Sequence, residues 1–401
     1  MKKISLYIHL PWCVRKCPYC DFNSHASPPT LPEAAYVTAL LQDLDEHLPV
    51  FHQRELISIF FGGGTPSLFS PRSIEAILRG IDTRLTLNPH IEITLEANPG
   101  TVEQQRFYDF RLAGINRLSL GIQSLQDSKL KTLGRIHDRN TALAAIASAK
   151  TAGLQNINLD LMFGLPHQSC TDALADLELA LAQEPQHLSW YQLTIEPNTV
   201  FYRYPPTLPT EDHVWEMQNQ GQQLLSKHGF TQYEVSAYSR PGYECQHNRH
   251  YWEFGDYLGI GAGAHSKITD IQTGTITRHW QIKQPRDYLN PEKQKTVSQL
   301  VLSEKDKIFE FMLNALRLTE GVPVSLFTER TGLALNSIQP MLAEALRKEL
   351  LLDPPLTLSP TKNVGERGCR ECNPLPYKKP TKICPSELGK RFLNDLLQLF
   401  L

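Results

Sequence analysis

Six times within the first 240 residues, a short β-rich run is followed by a stretch whose apolar residues recur at helical spacing. The runs are 5–8, 57–61, 91–96, 117–120, 157–163 and 188–194. Between the first two, Val37, Leu40, Leu41, Leu44 and Leu48 recur every three or four residues, which is the signature of a helix with one buried face. Ser70-Pro71 is a helix start, a capping side chain followed by a proline that sacrifices no needed N–H, and Ile74, Ile77, Leu78 and Ile81 supply the apolar stripe behind it. Further helices are predicted over 102–112, 141–152, 172–183 and 211–228. Strand–helix units in series demand a parallel sheet with right-handed crossovers. Six such units fall short of the eight that close a barrel. The expected fold is therefore α/β, a partial (β/α)6 barrel with its chemistry at the carboxyl ends of the strands.

The pattern changes twice beyond this core, which spans 1–240. Residues 241–300, with "YECQHNRHYWEFGDYLGIGAGAHS", are rich in Gly, His and aromatics and read as loop plus a short strand. From 301 to 401 the spacing of Phe309, Met312, Leu313 and Leu316, then of Ile338, Leu342 and Leu346, predicts a small, mainly helical, winged-helix-like domain. Within it, 359–384 reads as a structureless insert before a last amphipathic helix through Phe392, Leu396, Leu397 and Phe400.

Charge excludes one broad class. Forty Lys and Arg against 42 Asp and Glu leave a net charge of −2, so there is no basic excess to displace counterions from a nucleic acid. No apolar run approaches the roughly 20 residues that span a bilayer, and the start "MKKISLYIHLPWC" is too polar for a signal peptide. The expectation is a cytoplasmic protein, at most peripheral to the inner face of the membrane through partners. Its eight cysteines are then thiols or metal ligands rather than disulfides.

Three of them, Cys13, Cys17 and Cys20, form C-x3-C-x2-C directly after the first strand. Soft thiolates on a short loop suit an iron–sulfur cluster. A [4Fe–4S] cluster held by three cysteines keeps one iron open, as reactive metal sites do. Zinc is the alternative, with His9 and His25 close in sequence, although it normally takes four ligands. "GGGTPS" (62–67) follows the second strand, and its glycines permit close backbone approach to a ligand. Glu96, Gln123 and Asp160 fall at or near the ends of successive strands, and Arg135 follows in "LGRIH".

With Tyr19 just before the third cysteine, this set resembles the radical S-adenosylmethionine (SAM) superfamily. The resemblance implies that the open iron chelates the amino and carboxylate groups of SAM, and that one electron cleaves the sulfonium to a deoxyadenosyl radical. It implies a SAM site of Tyr7, Gly63, Gly64, Thr65, Glu96, Gln123, Arg135 and Asp160. In that site Gly63, Gly64 and Thr65 face the amino group, Gln123 and Asp160 the ribose hydroxyls, and Arg135 the carboxylate, as a fork donor. The match extends over nearly the whole chain to the coproporphyrinogen-oxidase-like branch, where two subfamilies compete. The oxygen-independent coproporphyrinogen III dehydrogenases, which carry out radical oxidative decarboxylation, typically have a longer N-terminal arm and a further cysteine at the position held here by Phe22. The heme chaperones lack that cysteine and carry H-N-x-x-Y-W, present here as His247, Asn248, Tyr251 and Trp252.

An imidazole is a good axial ligand for heme iron, and Tyr251 with Trp252 offers flat apolar area to a macrocycle. The plainer reading of a lone histidine is a hydrogen bond within the loop; His250, Cys245 and His265 are other candidates for the iron. The resemblance favours a heme chaperone that binds heme, a [4Fe–4S] cluster and SAM and transfers heme to acceptor hemoproteins of respiratory type. It further implies an electron donor if SAM is cleaved, and a homodimer once the cluster is loaded. Cys369, Cys372 and Cys384 depart from the family pattern. C-x2-C is half a zinc ribbon, but a fourth ligand is missing, so a solvated loop is the plainer reading beside a candidate second metal site. Cys170 reads as an inert packed thiol.

Overall fold

The computed structural model describes residues 2–100, 104–352 and 381–401, and the chain divides into two units, Met1–Leu302 and Ser303–Leu401. The first unit is built on a twelve-stranded sheet. Its strands are β1 (Lys2–Leu10), β2 (Arg54–Gly63), β3 (Glu92–Ala97), β4 (Arg117–Gln123), β5 (Asn156–Phe163) and β6 (His187–Gln192), then β7 (Thr231–Glu234), β8 (Ala237–Ser239), β9 (Asp256–Ile260), β10 (His265–Thr269), β11 (Ile276–Gln281) and β12 (Thr296–Val301). The spatial order is β12-β11-β10-β9-β1-β2-β3-β4-β5-β6-β8-β7. From β9 through β6 all pairings are parallel, whereas β7, β8 and β10 to β12 join antiparallel at the two ends.

All six expected strands are present. The seventh parallel strand, β9, lies on the free side of β1 with Gly259 in register with Tyr7. It falls in the segment where a short strand was expected, although Asp256 and Gly259 are poor strand formers. Tertiary charge pairs hold it instead: Asp256 accepts from Arg54 at 2.5 Å and from Lys267 at 2.7 Å, all three side chains being buried.

The crossover helices pack on one face. Leu6, Ile8, Ile59, Phe61, Ile93, Leu95, Leu118 and Leu120 share a buried cluster with Leu40 and Leu44 of α1 (Glu33–His47), Ile74 and Ile77 of α2 (Pro71–Asp82), and Phe107 and Phe110 of α3 (Gln104–Leu112). Burying each such side chain contributes about 1.5–3 kcal/mol. The predicted start of α2 is present, with Ser70 Oγ accepting from Ser73 N at 3.2 Å. Because successive strand residues alternate faces, Tyr7, Thr94, Glu96, Ser119, Asn158, Asp160 and His187 point the other way. One face of the sheet is oily, and the other carries polar and ionisable groups from its amino end to its carboxyl end.

The 241–266 segment is not simply loop and strand. Gln246–Trp252 forms a helix, α4. Seven residues are too few for a helix to stand alone in water. The carboxylate of Glu92, the first residue of β3, accepts from Gln246 N at 3.0 Å and His247 N at 3.1 Å and so caps it across the fold. That partner lies 154 residues away in sequence, beyond the reach of periodicity.

In the second unit, helices Glu304–Ala315, Val324–Thr331 and Gln339–Arg347 pack with a two-stranded ladder, Val322–Pro323 against Lys382–Ile383. Phe311 and Phe327 meet edge to face at 5.3 Å in its core. The insert was expected to stay structureless through Cys384, but its last residues form the second strand of that ladder. Cys384 is buried, with its thiol 3.5 Å from Thr319 O. Cys369 and Cys372 lie outside the described residues.

Candidate functional site

A cavity of about 420 Å³ opens at the carboxyl ends of the parallel strands, within the roughly 300–1,000 Å³ typical of small-molecule sites. The loop bearing the three cysteines forms one wall, and Cys13, Cys17 and Cys20 all line it. Backbone bonds fasten this loop to the end of β2: Gly64 N donates to Leu10 O at 2.8 Å and Thr65 N to Trp12 O at 2.7 Å. A Cβ on Gly64 would stand 2.5 Å from Trp12 O, and one on Gly63, where φ is +112°, would stand 2.6 Å from the His9 ring. The glycines are thus required first by packing behind the loop; that same tightness brings backbone to the cavity wall.

Each thiol has a polar neighbour. Thr65 Oγ1 donates to Cys13 Sγ at 3.5 Å, Arg135 Nη1 to Cys17 Sγ at 3.7 Å, and Ser24 Oγ lies 4.0 Å from Cys20 Sγ. Burial pushes the Cys13 and Cys20 thiols up from their ordinary values. The histidines that made zinc an alternative are engaged elsewhere: His9 Nε2 lies 2.9 Å from Asn23 O, and His25 Nε2 3.3 Å from Asn23 Oδ1. Among the described residues no three His, Cys, Asp or Glu side chains gather around one metal ion. Three soft ligands spread along one wall fit the separate corners of a [4Fe–4S] cluster better than a single zinc.

The other wall carries the remaining predicted groups. Gly63, Gly64, Thr65, Glu96, Gln123, Arg135 and Asp160 all line the cavity. Loss of solvent, reinforced by the charge of Asp160, pushes the Glu96 carboxyl up to about 8. Asp160 is also raised by burial, but Asn158, Ser119 and Ser189 hold it down. Its carboxylate accepts from Asn158 Nδ2 at 2.7 Å and Ser119 Oγ at 3.0 Å. Gln123 has φ +68° at an irregularity in the β4–β5 register, a conformation that costs a non-glycine residue on the order of 1–3 kcal/mol. Tyr191 OH donates to its Oε1 at 2.7 Å and fixes the amide. Arg135 lies between Cys17, Asn98 Oδ1 at 2.6 Å and Gly121 O at 2.7 Å. With carboxyl and amide acceptors, a guanidinium and three thiols around one cavity, these residues suit a zwitterionic nucleoside beside a cluster.

Tyr191 and Asn98 were missed in the sequence. Tyr191 lies on a strand where an aromatic reads as core, and Asn98 sits in "EANPGT", where Asn beside Pro reads as a turn. Tyr7 is not on the cavity wall. It sits one layer deeper, its OH 3.1 Å from His9 Nδ1 and its ring stacked on Phe60.

The H-N-x-x-Y-W residues lie at the opposite end of the same polar face. Four residue steps lead from Glu92, which caps α4, to Glu96 in the cavity, or roughly 13 Å of strand. His247 is buried, with Nδ1 3.1 Å from Ser58 Oγ and its ring 5.0 Å from Phe60 and 6.4 Å from Tyr7. Burial pushes its imidazole down to about 3, so it is neutral. His250 is also buried, and its Nε2 lies 3.0 Å from Asp256 O. Cys245 is enclosed, its thiol 3.6 Å from Glu92 and pushed up to about 12 by burial. Tyr251 and Trp252 are half-buried and pack ring to ring at 4.2 Å, with Tyr257 edge-on to Tyr251 at 5.6 Å. Asn248 is half-buried. His265 is exposed and edge-on to Trp280 at 5.9 Å. Cys170, half-buried in the first turn of helix Cys170–Leu181, packs against the edge of the core as expected of a packed thiol.

A hydrogen-bonded chain links the two ends. Cys245 N donates to Tyr233 OH at 3.3 Å, and Tyr233 OH lies 2.8 Å from His187 Nε2. His187 Nδ1 is 2.6 Å from Asn158 Oδ1, and Asn158 Nδ2 reaches Asp160. Burial drives His187 well below its ordinary range, so it is neutral. Asn158 Oδ1 can only accept, which places the single ring proton on Nδ1.

Comparison with known proteins agrees with this arrangement. Residues 7–180 match the radical SAM superfamily and residues 302–354 the HemN C-terminal domain. The chain is 47% identical over 405 residues to the heme chaperone HemW of Haemophilus influenzae, covering 99% of this chain and 98% of that one. It is 48% identical over 398 residues to the heme chaperone HemW of Escherichia coli, with the same shares covered. The solved structure of coproporphyrinogen III oxidase (HemN) from Escherichia coli superposes with a TM-score of 0.78 at 20% identity, covering 100% of this chain and 90% of that one. That is a likeness of fold. The cysteine loop, the cavity at the strand ends and near-half identity along the whole chain place this protein in the radical SAM superfamily and, within it, in the HemW family.

Proposed function

We propose that this protein is a heme chaperone, binding heme and handing it to hemoproteins of respiratory type, with a [4Fe–4S] cluster on Cys13, Cys17 and Cys20 and SAM in the adjoining cavity. The observation that carries this reading is the identity of 47–48% over essentially the full length of two heme chaperones. Phe22 supports it: this side chain lines the cavity where the porphyrinogen-oxidising relatives have a further cysteine, and no thiol stands there. The bound cluster supplies an open iron and, with an electron donor, one-electron chemistry on SAM. The chain's own part is to hold three thiolates on a loop tied to β2, to present Glu96, Asp160 and Gln123 as polar partners of the nucleoside, and to keep the guanidinium of Arg135 beside the cluster.

For heme, the half-buried Tyr251–Trp252 pair, its rings tilted 43° to each other, is the proposed apolar platform for the macrocycle on α4. Iron ligation by His247 requires the first turn of α4 to leave the sheet, because the ring is packed against Phe60 and bonded to Ser58. The test is anaerobic reconstitution followed by heme titration and a parallel assay for protoporphyrinogen. The expected result is stoichiometric heme uptake without porphyrinogen turnover, with His247→Ala altering the Soret spectrum. Turnover with no tight heme binding would instead establish the coproporphyrinogen dehydrogenase reading.

A further inference from the structure

Asn98 is the unassigned polar residue at the centre of the cavity wall, and its two ends face different cluster ligands. Its Nδ2 donates to Thr65 Oγ1 at 2.9 Å, and that hydroxyl donates onward to Cys13 Sγ at 3.5 Å. Its Oδ1 accepts from Arg135 Nη2 at 2.6 Å, while Nη1 of the same guanidinium reaches Cys17 Sγ at 3.7 Å. A single carboxamide therefore orients one neutral and one cationic donor against two of the three thiols. The amide is committed in both directions: Nδ2 donates to the Thr65 hydroxyl and so turns its proton away from the amide and toward the sulfur, and a guanidinium tied to Oδ1 and Gly121 O is held beside Cys17. Gly121 makes the arrangement sterically possible, since a Cβ there would stand 2.6 Å from Asn98 Oδ1 and 3.4 Å from Arg135 Nη2.

We infer that Asn98 is a positioning residue that sets the reduction potential of the cluster. Hydrogen bonds to the sulfurs and nearby positive charge stabilise the reduced, more negative cluster. Removing the carboxamide frees the Thr65 hydroxyl and leaves Arg135 Nη2 one of its two acceptors, Gly121 O, which loosens both donors and makes the cluster harder to reduce. The inference needs the cluster on Cys13, Cys17 and Cys20 but not the heme reading, so failure of heme binding leaves it standing.

The experiment is a redox titration followed by electron paramagnetic resonance on the reconstituted, cluster-loaded full chain without SAM. For Asn98→Ala, the ratio of reduced to oxidised cluster at a fixed potential is expected to fall on the order of tenfold, the worth of about one hydrogen bond to a charged acceptor. Thr65→Val should lower it in the same direction and Thr65→Ser should restore it. Because Asn98→Ala already frees the hydroxyl, adding Thr65→Val to it should lower the ratio less than it does in the parent chain. An unchanged midpoint in a loaded Asn98→Ala protein, or full additivity of the two substitutions, overturns the inference. If Asn98→Ala takes up no cluster, the Thr65 pair decides, and a Thr65→Val midpoint equal to the parent's overturns it.

Discussion

Glu96 lies deep in the cavity wall with its carboxyl raised to about 8 by lost solvation and by Asp160. At pH 7 a group with that value is ionised in roughly one molecule in eleven. A ligand donating a hydrogen bond or an ammonium to this carboxylate binds the ionised form, so binding must expel a proton. The apparent dissociation constant then carries a factor of 1 + 10^(8 − pH), which changes on the order of 50-fold between pH 6 and pH 8 and levels off above about pH 9. The sign for stability runs the opposite way. The folded value lies above the ordinary 4.5, so the ligand-free protein loses this group's contribution as pH rises from about 4.5 through 8. The assay is calorimetric titration of the cluster-loaded protein with S-adenosylhomocysteine at pH 6, 7 and 8, in buffers of differing ionisation enthalpy so that released protons are counted. Affinity should climb with pH, with nearly one proton released at pH 6.5. Glu96→Gln should flatten the profile and weaken binding at pH 8.5 by about 10-fold or more, the worth of a hydrogen bond to a charged group. A flat profile in the parent protein with no proton release would show that Glu96 stays an acid in the complex or does not meet the ligand, and the reasoning would fail.

Three further outcomes are expected. Glu92→Ala removes the cap of α4 and a negative partner of the buried Arg117; it should destabilise the protein by about 3–5 kcal/mol in urea titrations and speed amide exchange across 246–252. A loss below 1 kcal/mol would mean that α4 is held by packing alone. Gly64→Ala places a methyl 2.5 Å from Trp12 O and should push the cysteine loop off β2, cutting iron and sulfide content after reconstitution well below the parent's, while far-UV circular dichroism stays unchanged. Burial pushes His9 down to about 4 and His247 to about 3. Below pH 6.5 the unfolded chain therefore takes up protons that the native chain refuses, and each residue should cost about 2 kcal/mol of stability at pH 5. The fall in stability between pH 7.5 and pH 5 should be about 2 kcal/mol smaller in His247→Gln than in the parent chain, a comparison that cancels the opposite contribution of Glu96; an equal pH dependence in the two proteins would contradict this.

The sequence by itself determined the repeating strand–helix core, because apolar periodicity of 2 and 3.6 is imposed locally and survives without tertiary help. It also pointed to the three cysteines of the loop and to most of the residues that line the cavity. Cys13, Gly63, Glu96 and Gln123 each follow or end a strand of one parallel sheet, and such ends must converge on a single edge. Tertiary structure alone decided what depends on distant partners. β9, with Asp256 and Gly259, is held as a strand by its ladder to β1 and by Arg54 and Lys267, which neutralise its aspartate. The H-N-x-x-Y-W segment is a helix only because Glu92 of another strand caps it. That cap fixes the motif at the amino end of the sheet, with His247 facing inward and roughly 13 Å of strand between the capping Glu92 and Glu96 in the cavity. The part played by Asn98 also belongs to the fold. A turn asparagine acquires it only when β2, β4 and the cysteine loop bring Thr65, Arg135 and two thiols within hydrogen-bonding reach of one carboxamide.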